Sequence, residues 1–381
     1  KKTYMIVIIP KEIHPDETRV AATPATVKDL IKSGLTVHVE TGAGQSAYIS
    51  DNDYMGAGAK IIKSSSDLLS QADIILKVLH PTLEEILHLK TNSVLVSFFQ
   101  PTRELETVKA LSEKSITGFS MHLIPRTTLA QKMDALSSQA NIAGYKAVLM
   151  AASQLGIYMP LLMTAAGTIR PAKILILGAG VAGLQAIATA KRLGAQVEAF
   201  DVRPIVKEQV ESLGAKFIEV ESSSDDGVGE GGYAKETSDD YKQRQQELIH
   251  EHISKSDAVI TTALIPGRPA PLLIPTSMVE AMKPGSIIMD LAAENGGNCE
   301  LTQKDKVIQH NQVTIDGTSN IPGTMPVHAS ELYSKNITAF LTYMVKDGSL
   351  NLDLEDEIIS GSLFTHKGEI THVPTQEALN A

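Results

Sequence analysis

A glycine-rich turn stands between an apolar strand and a helix-forming segment near the middle of this 381-residue chain. Residues 173–203 read KILILGAGVAGLQAIATAKRLGAQVEAFDVR, in which the strand leads directly into a G-x-G-x-x-G pattern. In a Rossmann βαβ unit the first glycine allows the tight turn, the second lets a pyrophosphate approach the backbone, and the third lets the helix pack on the strand. Gly178, Gly180 and Gly183 hold these places. Because it follows a strand and opens a helix, the pattern predicts a βαβ unit with a dinucleotide site.

An acidic residue follows the next predicted strand, where such a site needs one. Asp201 directly follows the predicted strand 196–200, and a carboxylate at this place accepts hydrogen bonds from ribose hydroxyls. It repels a 2′-phosphate, which favours NAD(H) over NADP(H). Arg203, two residues later, tempers that preference because a guanidinium can hold a phosphate.

Alternating strands and helices occupy both halves of the chain, which indicates two domains with parallel sheets. In the first half the predicted strands are 5–9, 35–40, 73–78, 93–99 and 115–119, and the predicted helices are 24–33, 65–70, 82–89 and 102–113. In the second half the predicted strands are 174–177, 196–200, 216–219, 258–261, 286–290 and 312–315, and the predicted helices are 182–193, 204–213, 241–253 and 275–281. Residues 42–55 contain a second glycine-rich stretch without a following acid, and we interpret them as a turn.

The predicted fold class is α/β, with two Rossmann-like doubly wound parallel-sheet domains joined by long helices and NAD(H) in the cleft between them. A helix at 132–155 bridges the domains, and a helix at 329–345 returns to the first. We therefore expect a discontinuous N-terminal domain of residues 1–137 and 325–381, and an NAD(H)-binding domain of residues 138–324. Residues 221–240 are rich in Ser, Asp and Gly, which predicts a mobile loop over the site, with a passive surface loop as the alternative.

Composition and missing motifs exclude several classes of function. A net charge of −10 argues against nucleic-acid binding, and the lone Cys299 fits a reducing compartment. Residues 147–169 carry no charge, but Pro160 interrupts them, so we expect a buried helix and a loop rather than a membrane span. The chain has no H-E-x-x-H, C-x-x-C or G-x-S-x-G, so we expect neither a metal nor a serine hydrolase.

Three further segments place polar groups where ligands bind in such folds. Residues 125–145 read PRTTLAQKMDALSSQANIAGY at the join of the predicted domains, although composition alone equally fits a helix N-terminus with capping groups. The segments 261–271, TTALIPGRPAP, and 290–299, DLAAENGGNC, both leave the carboxyl end of a predicted strand.

Together with PKEIHPDETRVAATP at 10–24 and GGYAKE at 231–236, these segments resemble the NAD(H)-binding component, domain I, of proton-translocating NAD(P) transhydrogenases. The fold of that family is shared with alanine dehydrogenase. The resemblance implies a homodimer that passes hydride from NADH directly to NADP⁺ held by a separate domain III. It further implies a membrane-spanning domain II that couples the exchange to proton movement. The complex would lie at the cytoplasmic face of a bacterial inner membrane, or on the matrix side in an organelle.

The resemblance also assigns roles to individual residues. Arg126, Gln131, Asp134 and Ser137 would orient the nicotinamide, and Tyr233 would lie in the loop that closes on the nucleotide. The implied nucleotide contacts are Arg126, Gln131, Lys132, Met133, Asp134, Gly178, Gly180, Val181, Gly183, Asp201, Val202, Arg203, Gly232, Gln245, Ala263 and Leu264.

The sequence leaves two other functions open. Arg19 and Lys77 match positions that hold pyruvate in alanine dehydrogenase, but that reaction needs a base. Its His would fall in SFFQPT at 97–102, which has none, and its Asp would fall at Ser319. Hydride transfer between two nicotinamides needs only orientation, which favours the transhydrogenase. A non-catalytic NAD-binding sensor would need neither the predicted mobile loop nor the Arg126 segment.

Overall fold

The computed structural model describes residues 4–220, 239–265 and 268–381. Two compact units divide the chain, Lys1–Gln139 with Pro322–Ala381 and Ala140–Ile321. The strands are β1 (Ile6–Ile9), β2 (Thr36–Glu40), β3 (Lys60–Ile62), β4 (Ile74–Leu76), β5 (Val94–Ser97), β6 (Thr117–Ser120), β7 (Leu162–Thr164), β8 (Gly167–Ile169), β9 (Lys173–Leu177), β10 (Gln196–Phe200), β11 (Lys216–Ile218), β12 (Ala258–Thr261), β13 (Ile287–Asp290), β14 (Val307–His310), β15 (Val313–Asp316), β16 (Val345–Lys346), β17 (Ser349–Leu350), β18 (Leu363–His366) and β19 (Glu369–Ile370). The α-helices are α1 (Pro24–Lys32), α2 (Asp51–Gly56), α3 (Ser65–Gln71), α4 (Leu83–His88), α5 (Leu105–Glu113), α6 (Ala135–Gln154), α7 (Val181–Arg192), α8 (Lys207–Ser212), α9 (Asp239–Ile253), α10 (Thr276–Glu280), α11 (Pro326–Tyr343), α12 (Glu357–Ser362) and α13 (Val373–Asn380).

The first unit is built on one mixed sheet. Among the described residues its strand order is β19-β18-β6-β5-β4-β1-β2-β3. Strands β1 to β6 are mutually parallel, and β18 and β19 add an antiparallel edge beside β6. The parallel strands are short apolar runs, such as the fully buried β4 and β5. Such runs are typical of parallel strands that helices cover on both faces.

Helix α11 belongs to the core of this first unit, although it lies late in the sequence. Tyr333, Ile337 and Phe340 are fully buried. The Phe340 ring meets that of Phe119 edge-on at 5.4 Å between centroids, and the Tyr333 hydroxyl donates to the Lys77 carbonyl at 2.6 Å. Burial of these large side chains holds the C-terminal segment on the first sheet.

The second unit has the strand order of a dinucleotide-binding fold. Within the described residues the order is β11-β10-β9-β12-β13-β15-β14, in which β14 alone runs antiparallel. The six parallel strands follow the 3-2-1-4-5-6 arrangement of Rossmann folds. Strands β9, β10 and β12 end level, because Leu177 pairs with both Phe200 and Thr261. The predicted fold class of two α/β units with parallel sheets is confirmed.

One interpretation from the sequence was wrong in the first unit. The glycine-rich residues 42–47 form a turn and a short 3₁₀ helix, as interpreted, but the polar residues that follow do not stay turn-like, because helix α2 begins at Asp51. Ser50 Oγ accepts from the Asp53 N–H at 3.2 Å, and Asp53 Oδ2 accepts from the Ser50 N–H at 2.8 Å. This reciprocal capping box stabilises a helix with little apolar periodicity. Buried Tyr54 fixes it by donating to the Ala22 carbonyl at 2.6 Å.

The uncharged stretch 147–169 contains the end of one helix and then a hairpin. Helix α6 ends at Gln154, and strands β7 and β8 pair antiparallel in the stretch predicted to be a loop. The hairpin is largely exposed, with Met163 at 72 % of its full accessibility. Across the described residues, no helix combines the length and the apolar character needed to span a membrane.

A buried ion cluster ties three segments of the first unit together. The Lys77 ammonium is completely buried, 3.0 Å from Glu85 Oε1 and 3.6 Å from Glu12 Oε2. The other carboxylate oxygen of Glu12 accepts from the Val78 N–H at 2.6 Å. Burial raises the pKa of Glu12, and the charge of Lys77 opposes that rise. Without the Lys77 ammonium, two buried carboxylates would therefore have no cation beside them, which is costly.

We predict that Lys77→Met lowers the free energy of unfolding by about 3–5 kcal/mol near neutral pH, because two buried carboxylates lose their cation. A carboxyl whose pKa is raised in the folded state binds more protons folded than unfolded. The deficit of the variant relative to the unmodified chain should therefore shrink as the pH falls through the raised pKa of Glu12.

Urea unfolding at several pH values measures this effect. Lys90→Met is the matched control, because Lys90 forms an exposed pair with Asp73 at 2.6 Å and should contribute less than about 1 kcal/mol. Equal losses in the two variants would contradict the proposed role of the buried cluster.

Candidate functional site

The glycine turn of the second unit joins β9 directly to helix α7. Gly178 has a φ of +100°, and a Cβ atom there would lie 2.6 Å from Thr262 Oγ1. A Cβ atom on Gly183 would lie 1.8 Å from the Gly178 carbonyl oxygen. Both positions therefore require glycine for the packing of the protein itself, as the motif predicts.

Gly180 is different, because the protein does not require a glycine there. Its φ of −77° suits any residue, and among the described residues outside its own helix and chain neighbours, only Arg203 Nη2 comes within 4 Å of a Cβ built on it, at 3.9 Å. Gly180 is also the N-cap of α7, and no described side chain caps that helix. The first turn therefore directs N–H groups and the positive end of the helix dipole toward space that no described residue fills. A pyrophosphate fits this arrangement of donors and space.

Asp201 lies beside the turn at the end of β10, with four hydrogen bonds to its carboxylate. Oδ2 accepts from the Ala179 N–H at 2.8 Å and from Arg203 Nη2 at 2.9 Å. Oδ1 accepts from the Arg203 backbone N–H and from its Nε, both at 2.9 Å. The sequence predicts that both residues face the adenosine ribose, and the structure pairs them with each other.

The two other edge segments of this unit are linked by a buried carboxylate and an amide. Asp290 accepts from five donors, which are the N–H groups of Ala292, Asn298 and Cys299 and the hydroxyls of Thr261 and Thr302. The Asn298 side chain then bonds both backbone groups of Ala263, at 3.1 and 2.9 Å. Thr262, next to Ala263, donates to the Gly178 carbonyl at 2.9 Å. Asn298 and Asp290 thus position the loop at the glycine turn.

Sequence reasoning singled out the segment of Asn298 but gave this residue no role. The only signal was a polar loop after a strand. Its amide partners lie on another strand's loop, so spacing along the chain does not reveal them.

Other predicted nucleotide contacts of this unit differ in exposure, and two lie outside the described residues. Leu264 is exposed, Val202 is half-buried, and Gln245 is buried on helix α9. Gly232 and Tyr233 lie outside the described residues, as does the predicted mobile loop up to residue 238. Asp239 and Asp240, which we expected in that loop, instead form the start of α9.

In the first unit, the Arg126 segment leads into α6 through a short 3₁₀ turn at Leu129–Met133. Asp134 caps the helix, with Oδ1 accepting from the Ser137 N–H at 2.9 Å and Oδ2 from the Ser137 hydroxyl at 2.6 Å. The capping interpretation of this segment is therefore correct as local structure. Arg126, Gln131 and Lys132 are exposed, and Met133 is buried.

Asn336 on helix α11 fixes this segment from a distance. Its amide donates to the Lys132 carbonyl at 2.9 Å and accepts from the Ser138 hydroxyl at 2.7 Å. Because these partners lie some two hundred residues away in the chain, local sequence reasoning did not find Asn336. The segment is thus held in place while its long polar side chains face solvent.

Arg19 and Lys77, which kept the dehydrogenase alternative open, are both buried in the first unit. Arg19 forms a bidentate pair with Glu17 at 2.8 Å and also donates to Gln139 at 3.0 Å. Lys77 lies in the ion cluster described above. Among the described residues, no three His, Cys, Asp or Glu side chains form a group suited to a metal ion.

We predict opposite effects of adding one methyl group at two glycines of the turn. Gly183→Ala forces a Cβ against the Gly178 carbonyl and should lower the free energy of unfolding by at least about 2 kcal/mol. Gly180→Ala meets open space, so its unfolding free energy should change by less than about 1 kcal/mol. Its Kd for NADH should nevertheless rise about tenfold or more, because the methyl group occupies the phosphate space.

Thermal melting and titration of NADH fluorescence measure the two effects separately. Unchanged NADH affinity in a folded Gly180→Ala variant would contradict the phosphate site.

Comparison with known proteins finds relatives that match nearly the whole chain. The model of the alanine dehydrogenase/PNT N-terminal domain matches residues 8–143, and that of the C-terminal domain matches residues 147–373. An NAD(P) transhydrogenase alpha-subunit chain from Rhodospirillum rubrum is 46 % identical over 376 residues, covering 97 % of this chain and 98 % of that relative.

Two solved structures resemble the chain over nearly its whole length. A crystal structure of transhydrogenase from Sinorhizobium meliloti superposes with a TM-score of 0.87 at 47 % identity, covering 96 % of this chain and 99 % of that one. An L-alanine dehydrogenase structure has a TM-score of 0.84 at 26 % identity, with 99 % of each chain covered.

Proposed function

We propose that this chain, which belongs to the alanine dehydrogenase/PNT family and within it to the NAD(P) transhydrogenase alpha subunits, carries the NAD(H) site of a proton-translocating transhydrogenase. The observation that carries the proposal is the open space at Gly180, in front of an uncapped helix N-terminus and beside Asp201. NADH, when bound, supplies a hydride that passes directly to NADP⁺ on a partner domain.

The residues of this chain then bind and orient rather than exchange protons. The N–H groups at the start of α7 hold the pyrophosphate, and Asp201 accepts from the adenosine ribose. Arg126, Gln131, Asp134 and Ser137 orient the nicotinamide. Orientation of a nicotinamide for direct transfer to another needs no general base, and close approach supplies the rate enhancement.

Two positions of the chain support this reaction over alanine oxidation. The segment 97–102 contains no His, and Ser319 stands where the dehydrogenase has its Asp. The Ser319 hydroxyl donates to Asp305 Oδ1 at 2.6 Å. A hydroxyl of this kind is a poor replacement for a catalytic carboxylate.

The partners follow from the same proposal. An NADP(H)-binding domain III receives the hydride, and a membrane-spanning domain II couples the transfer to proton movement. The complex lies at the cytoplasmic face of a bacterial inner membrane, or on the matrix side of an organelle.

Stopped-flow mixing of the NADH-loaded chain with an NADP⁺-loaded domain III tests the function. Fast formation of NADPH supports the transhydrogenase. Turnover with pyruvate, ammonia and NADH alone would support alanine dehydrogenase instead. NADH binding with neither reaction would leave the non-catalytic sensor.

We predict that Arg126→Ala slows hydride transfer about 100-fold, because a misplaced nicotinamide loses the close approach of the two reacting carbons. The Kd for NADH should change less than about threefold, since the proposed role is orientation. Lys109→Ala, an exposed cation on α5, is the control for loss of one positive charge. A loss of affinity without a loss of rate would contradict the role of Arg126.

We further propose a homodimer in which the β7–β8 hairpin is covered by a second copy. A two-stranded hairpin is marginally stable alone in water, yet Met163 and Ile169 on it, and Leu161 just before it, are exposed. Met163→Glu should therefore halve the mass measured by light scattering. Leu87→Glu, at an equally exposed leucine of α4, should leave the mass unchanged. A dimer that persists in Met163→Glu would contradict the role of the hairpin.

A further inference from the structure

We propose that Arg203 can bind a 2′-phosphate but is kept from it by its ion pair with Asp201. The pair together then sets the preference for NAD(H) over NADP(H). This inference rests on the proposed NAD(H) site and adds the means by which that site discriminates between the two nucleotides. In Rossmann folds an acid at this place favours NAD(H), whereas a nearby arginine accommodates the 2′-phosphate of NADP(H). This chain has both residues, and they are paired with each other.

The geometry of the pair shows how Arg203 is restrained. The guanidinium forms two parallel bonds to the carboxylate, Nε to Oδ1 and Nη2 to Oδ2, both 2.9 Å long. Two backbone N–H groups, those of Ala179 and Arg203, take the other acceptor positions. A planar fork on a carboxylate is the strongest common pairing of an arginine. Moreover, the Asp201 side chain is only 5 % exposed and that of Arg203 17 %, so water screens the pair weakly.

The position of the guanidinium connects this pair to the nucleotide. Among the described residues, Arg203 Nη2 lies 3.9 Å from a Cβ built at Gly180. Arg203 therefore lies between the phosphate space of the turn and the carboxylate that faces the ribose. A phosphate on the ribose 2′ oxygen would arrive next to both charges.

NAD(H) and NADP(H) would interact differently with this pair. A ribose 2′-hydroxyl can donate to Asp201 by replacing one guanidinium bond, so the carboxylate stays satisfied. A 2′-phosphate is repelled by Asp201, and it gains Arg203 only if the fork opens. Opening leaves a largely buried carboxylate without its cation, which is costly. Removing the carboxylate charge should thus both end the repulsion and open the fork that Arg203 forms with Asp201.

Asp201→Asn tests the inference, because the asparagine oxygen still accepts from Ala179 while its amide cannot accept from a guanidinium. Titration of the full chain with NADH and NADPH gives both Kd values. We expect the Kd for NADPH to fall about tenfold or more and that for NADH to rise. Adding Arg203→Gln to this variant should abolish the gain for NADPH. Arg203→Gln alone should not improve NADPH binding.

A gain that survives in the double variant would overturn the inference, because the carboxylate alone would then set the preference. Absence of any gain in a folded Asp201→Asn variant would overturn it as well. If NADH bound to the unmodified chain at no concentration tested, the proposed function itself would fail, which distinguishes the two failures.

Arg203→Lys provides a second test that leaves Asp201 untouched. Lysine keeps the charge but cannot form the bidentate fork, so it is restrained less. It should bind NADPH several-fold more tightly than Arg203→Gln, where no cation remains. Equal NADPH affinities in these two variants would overturn the inference even if Asp201→Asn did not fold.

Discussion

The close approach of helix α7 to the turn that precedes it is the constraint on which the nucleotide site depends. Any side chain at Gly183 would collide with the Gly178 carbonyl, so the helix begins against the end of β9. This places its first N–H groups at the edge of the sheet where β10 and β12 also end. The open space at Gly180 and the carboxylate of Asp201 acquire a function only because the helix begins there.

Asp201 and Asp134 both have hydrogen-bond partners within the chain. Asp201 is held by Arg203 and Ala179, and Asp134 is held by Ser137. We infer that a ribose hydroxyl that donates to Asp201 replaces one of these bonds, and such an exchange contributes little net free energy. The partners within the chain fix the positions of both carboxylates.

The regions of this structure that could be predicted from the sequence are those in which neighbouring residues decide the conformation. The strand–turn–helix around Gly178 is local, and so is the alternation that predicted two parallel sheets. Strand β14 was missed because it is a half-exposed edge strand with no apolar run. Helix α2 was missed because its capping box carries Asp rather than Glu or Gln in the last place. Pairings between distant segments, such as Asn336 with Lys132, have no local signal. The Arg203–Asp201 fork could not be predicted either, because its geometry depends on the backbone conformation between the two residues.

We propose that hydride passes directly from a nucleotide on this chain to NADP⁺ on its partner. NADH carrying deuterium at the transferred position of C4 tests it most directly, with mass spectrometry of the NADPH formed in ordinary water. Direct transfer predicts that every NADPH molecule retains the label and that the solvent contributes no hydrogen. Loss of the label to water, or label found in alanine after pyruvate and ammonia are added, would contradict the account.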